Sequence, residues 1–91
     1  MLKVTTSTDS TKTTLQVEGK LTGAWVGELE RCWREIASNQ AVAVSLQAVT
    51  FIDDKGKDLL IRMYQSGAEL LAEGCMTKAI VEEIRERHPR S

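Results

Sequence analysis

Asp53, Asp54, Lys55, Gly56, Lys57 and Asp58 place five charges and a glycine at consecutive positions. The β-formers Val49-Thr50-Phe51-Ile52 lead into them, and helical spacing resumes at Leu59-Leu60. A carboxylate at such a strand-to-helix turn accepts hydrogen bonds from the first-turn N–H groups, which have no intrahelical partners and sit at the positive end of the macrodipole. Capping occupies one aspartate. It leaves unexplained two lysines at a positive helix end and a glycine that costs about 1 kcal/mol against alanine. Glycine is expected where a second chain or a ligand comes close to the backbone. The turn therefore reads as a candidate binding surface, held at the end of a strand and the start of a helix.

Other chemistry finds little support. The one histidine, His88, sits near the C-terminus, and no Ser-His-Asp or Cys-His arrangement can be assembled around it. A phosphate loop needs a second glycine and a following Ser or Thr, which "DDKGKD" lacks, and no G-x-G-x-x-G occurs. Cys32 and Cys75 lack metal-ligand spacing, so they read as buried thiols, and neither a metal nor a cofactor is expected. Asp54 as a phosphoryl acceptor, in the manner of receiver domains, stays open as an alternative. So do the hydroxyls of Ser66 and Thr50. Receiver chemistry also requires magnesium-binding acids elsewhere, and no second acidic cluster ends an apolar strand.

The whole composition narrows the class. Ninety-one residues, 42% of them apolar, suit one folded domain spanning 1–91. Twelve basic against 13 acidic side chains argue against a nucleic-acid surface and against attraction to an anionic membrane. "MLKVTTSTDS" carries no long apolar run, so neither a signal peptide nor membrane insertion is expected, and the reading is cytoplasmic.

The elements that position the turn follow from periodicity. "LKVTTST" and "TTLQVEGKL" alternate apolar and polar residues around the turn cluster Asp9–Lys12, which predicts a hairpin. Thr22-Gly23 breaks the second strand. A helix is expected from about Ala24 to Ser38, with Trp25, Leu29, Cys32, Trp33 and Ile36 on one face. Trp25, beside the Thr22-Gly23 turn, is also placed to expose a ring face to a protein partner. The continuous apolar run Ala41–Leu46 suits a mid-sheet strand covered on both faces. A second helix is expected from Asp54 or Gly56 to Gln65. A short strand follows in "AELLAE", and a third helix from about Thr77 to Arg87 is stopped by Pro89. The order β-β-α-β-α-β-α predicts an α/β domain: a four-stranded mixed sheet flanked by about three helices.

"VAVSLQAVTFIDDKGKDLLIRM" resembles the signature of the STAS family, the domain of sulfate transporters and anti-sigma factor antagonists. That signature is an apolar strand, a short link, an aromatic or apolar pair, then Asp-Ser-Ser/Thr-Gly opening a helix. "LQVEGKLTGAWVGELERCW" is similar to the family's second strand, Gly-x-Leu turn and first helix, and "SGAELLAEG" to its later strand. The resemblance implies a STAS-like fold and a non-enzymatic regulatory role through protein contacts. It implies that the unphosphorylated domain binds a kinase-type anti-sigma ATPase, and that phosphorylation of the third signature residue breaks the contact. Asp53 matches the leading aspartate, Asp54 the next residue, Lys55 the phosphoacceptor position and Gly56 the glycine. Lys55 has no hydroxyl, so the family's usual switch is not expected here. Thr22 stands where antagonists of the family often carry aspartate. The family's last strand and helix have no counterpart in the sequence. The partner-binding residues expected from the turn and the resemblance are Thr22, Gly23, Trp25, Asp53, Asp54, Lys55, Gly56 and Lys57. A transporter ATPase is the alternative partner, and an uncovered sheet edge leaves a homodimer open.

Overall fold

Leu15, Val17 and Leu21 alternate with Gln16, Glu18 and Lys20, and this pattern builds the strand around which the sheet forms. A computed structural model of the chain describes residues 2–36 and 40–88. The elements are β1 (Leu2–Thr8), β2 (Lys12–Leu21), α1 (Trp25–Arg34), β3 (Ala41–Ile52), α2 (Asp54–Gln65), β4 (Glu69–Leu71) and α3 (Cys75–Arg87). The strand order is β1-β2-β3-β4. β1 and β2 form the antiparallel hairpin, while β2-β3 and β3-β4 pair parallel. The described residues thus form the α/β, four-stranded mixed sheet with three helices that the periodicity predicts.

Both parallel steps cross the sheet in the same direction. Right-handed crossovers then put α1 and α2 on one face. α2 packs against both α1 and α3, so the third helix shares that face. Between helices and sheet lies one core, with Leu15, Leu29, Val44, Leu60, Met63 and Ile84 fully buried in it. Apolar burial of this kind, about 25 cal/mol per Å² of surface removed from water, is what holds so small a domain together.

The opposite sheet face carries no helix among the described residues. There the register sets Lys3 beside Glu18, Gln16 beside Ser45 and Lys20 beside Phe51. β3 is a middle strand as expected, but helices cover only one of its faces. Ala43 and Ser45 on the other face are buried because they are small. Thr14 and Glu69 flank Ala43 in register, and an ion pair of 3.7 Å between Lys12 and Glu69 bridges over this face.

Four details differ from the sequence expectations. β3 continues past Leu46 to Ile52, with two register shifts against β2 that re-aim its last residues. The regular turns of α1 end at Arg34, and the expected end at Ser38 lies outside the described residues, as does the Pro89 stop. The inward stripe of α1 runs through Val26 and Leu29, with Cys32, Trp33 and Ile36 partly buried, and leaves Trp25 42% exposed. α3 begins two residues early, at Cys75, so that cysteine is exposed rather than buried. Cys32 is half-buried, and burial pushes its thiol pKa up.

Candidate functional site

β2 and β3 are parallel neighbours, so their C-terminal ends lie side by side. The two turns singled out in the sequence, Thr22–Trp25 and Asp53–Lys57, leave the sheet there. Asp53 holds them together. It is the N-cap of α2, with extended backbone, and its Oδ1 accepts the Gly56 N–H at 2.8 Å. Its other oxygen, Oδ2, accepts the Gly23 N–H at 2.9 Å. The Asp53 N–H donates to the Leu21 carbonyl at 3.2 Å. Gly23 adopts φ +52°, a conformation that favours glycine, and its carbonyl accepts the Val26 N–H at 3.2 Å at the start of α1. One carboxylate therefore ties the exits of two strands and the starts of two helices.

The N–H groups of Gly56, then of Gly23, hold the Asp53 carboxyl below the ordinary carboxylate range. A depressed pKa means that Asp53 adds stability above its unfolded value of about 4 and loses it as pH falls through the lower folded value. Asp53→Asn keeps a capping side chain without the charge. The expected outcome is a melting-temperature gap between wild type and Asp53→Asn that is full at neutral pH. It closes below about pH 4, as followed by thermal melts across an acid series.

Gly56 is explained from inside the molecule. It is buried, and a Cβ built on it would lie 2.5 Å from the Leu21 carbonyl oxygen and 2.9 Å from Leu21 Cγ. The close approach that the sequence suggested is made by the chain's own β2. Lys57 is likewise engaged: it is half-buried and ion-paired to Glu83 on α3, and this holds the Glu83 carboxyl below its usual range. That pair clips α2 to α3 and offsets the cost of a cation near a helix start.

The eight nominated residues thus come together but divide by role. Asp53, Gly56 and Lys57 brace the turns. Asp54, Lys55, Gly23 and Trp25 are exposed, and Thr22 is half-buried. Sequence reasoning missed two further exposed apolar side chains. Phe51, one residue before the end of β3, is 51% exposed, and Met76, in the first turn of α3, is 37% exposed. With Trp25 they are the exposed large hydrophobics among the described residues, and all three stand where parallel strands end and helices begin. Phe51 stands in register with Lys20, which places the ring on the polar face of the sheet.

The alternative acceptors are scattered. Asp54 is in the first turn of α2, and Ser66 is its C-cap at the far end. The Thr50 hydroxyl donates to the Gly19 carbonyl at 3.3 Å. Among the described residues, no three His, Cys, Asp or Glu side chains are grouped to hold a metal ion. No described helix is long and apolar enough to cross a membrane.

No family model and no curated protein matches the chain. Solved structures do. An anti-sigma factor antagonist from Mycobacterium paratuberculosis superposes with a TM-score of 0.80 over 99% of this chain and 85% of its own, at 17% identity. A chain called Mglu superposes with a TM-score of 0.55 over 77% of this chain and 19% of its own, at 20% identity. The chain has the fold of an anti-sigma factor antagonist, the STAS-type fold implied by the signature around Asp53 and Gly56.

Proposed function

We propose that this chain is a non-enzymatic regulatory module that binds a protein partner in the manner of an anti-sigma factor antagonist. The partner surface is the rim formed by Thr22–Trp25 and Asp53–Lys57. The observation that carries this reading is the double grip of Asp53 on Gly23 and Gly56. It fixes two loops relative to each other and presents Trp25, Asp54 and Lys55 to solvent on a rigid base. Rigid, exposed aromatic and charged side chains bind at low ordering cost. The similar structure is that of an anti-sigma factor antagonist, so a kinase-type anti-sigma ATPase is the partner tested first, with a transporter ATPase as the alternative.

Lys55 gives the module a constant state. It stands in the first turn of α2, exposed, where the family signature has the hydroxyl that accepts a phosphoryl group. A fixed cation there removes the family's usual phosphoacceptor and offers the partner a charge to meet with a carboxylate. The test is incubation with a purified kinase-type anti-sigma factor and ATP, read by intact mass and by calorimetric binding. Wild type should bind and gain no phosphoryl group, whereas Lys55→Ser should gain one. Phosphorylation of wild type at Asp54, Thr50 or Ser66 would favour the phosphoacceptor reading instead. Tighter binding to a transporter ATPase would move the chain to the transporter class.

A further inference from the structure

The two edges of the sheet are built differently. β4 is three residues long, and its Leu70 carbonyl is occupied by the Arg85 guanidinium at 3.0 Å. Shortness and a covering cation are means by which proteins blunt an edge. β1 has neither. It is seven residues long, pairs with β2 without a bulge, contains no proline and carries one charge, Lys3. Lys3 and Thr5 to Thr8 are exposed, and among the described residues no strand lies beyond it. Its outer row of backbone groups is a template for another strand.

We propose that the outer edge of β1 is a self-association surface, on which a second copy of this chain pairs its own β1 antiparallel about a two-fold axis. The strand is complementary to itself. The register that pairs all seven residues sets Thr5 opposite Thr5, Val4 opposite Thr6, Lys3 opposite Ser7 and Leu2 opposite Thr8. No like charges meet, and β-branched side chains face one another, which suits cross-strand packing. Joining β1 to β4 instead would displace Arg85 from Leu70 and give an open head-to-tail array rather than a closed pair. On the helix side a hollow of about 400 Å³ runs beside the edge, bordered by Thr6, Thr8, Cys32 and Ile36, and adds part-buried apolar surface for the second copy. An interface of this length falls at the small end, below about 1,200 Å², so the dimer is weak and concentration-dependent. The two-fold axis turns the two rims in opposite directions and leaves both open, so this inference stands whether or not the partner reading holds.

Sedimentation of the full chain across a concentration series tests it. The mass of wild type should rise from 10.1 kDa toward twice that value as concentration increases. Thr5→Lys and Thr5→Glu, changed at an exposed position, should each keep native circular dichroism and stay monomeric where wild type associates. Mixing the two variants in equal amounts should restore the dimer, because opposite charges then meet across the axis. A wild type that stays monomeric overturns the proposal, as does Thr5→Lys dimerising like wild type or the mixed variants failing to pair. Growth beyond the dimer overturns it in favour of head-to-tail pairing, and association only with a different protein's strand overturns it in favour of a foreign partner.

Discussion

Gly56→Ala is expected to destabilise the fold by about 2–3 kcal/mol and to lower Tm by roughly 10–20 °C. A methyl group at this position meets the Leu21 carbonyl oxygen at 2.5 Å, closer than real Cβ atoms come to backbone. That oxygen also accepts the Asp53 N–H, so it cannot withdraw without loosening the tie between β2 and the start of α2. Relief through the side chains is small, because Leu21 Cγ and Ile52 Cγ2 crowd the same space at 2.9 and 3.1 Å. Alanine gains about 1 kcal/mol in helix propensity, which offsets only part of the clash. Gly27 is the matched control, an exposed helical glycine with nothing within 4 Å of a built Cβ. Gly27→Ala should leave stability unchanged or raise it by up to about 1 kcal/mol. Denaturant melts of both variants decide the matter. Equal behaviour would mean that β2 does not set the position of α2.

Trp25→Ala is expected to weaken partner binding about 30-fold or more, a loss of at least about 2 kcal/mol, while the melting temperature hardly moves. The residue is 42% exposed at the first position of α1, and the adjacent Val26 carries the core contact. Removing the ring therefore costs the domain little packing. At a partner surface an aromatic side chain on a fixed base has the largest area to bury and little rotamer freedom to lose. Calorimetric titration of a kinase-type anti-sigma factor with wild type and Trp25→Ala measures the ratio. Unchanged affinity would remove Trp25 from the surface.

The order of elements was legible because it depends on local periodicity. Leu15, Val17 and Leu21 alternate, and Leu59, Leu60 and Met63 repeat at helical spacing, whatever the rest of the chain does. The bracing of the site was not legible, since it depends on residues about thirty positions apart. Asp53 could be read as a cap for α2 from its own neighbourhood. Its second bond, to Gly23, appears only once β2 and β3 are known to end together. Gly56 invited a binding explanation for the same reason, because the Leu21 carbonyl that requires it comes from another strand. Lys57 looked costly until Glu83 of α3 was placed beside it. The exposure of Trp25 turned on a one-residue phase in α1: both Trp25 and Val26 fit a helical stripe with Leu29, and the sheet beneath selects Val26. Gly56 alone reads as the mark of a close approach, and the approach is made by Leu21 of the same chain rather than by a partner.

The central proposal is that the rim meets a protein partner. Amide shift mapping of the nitrogen-labelled chain, titrated with a purified kinase-type anti-sigma factor, tests this most directly. Perturbations should concentrate at Thr22–Val26 and Asp54–Lys57, reach Phe51 and Met76, and spare β1 and the far end of α2. Perturbations centred on the open sheet face or on the far end of α2, with the rim unmoved, would contradict it.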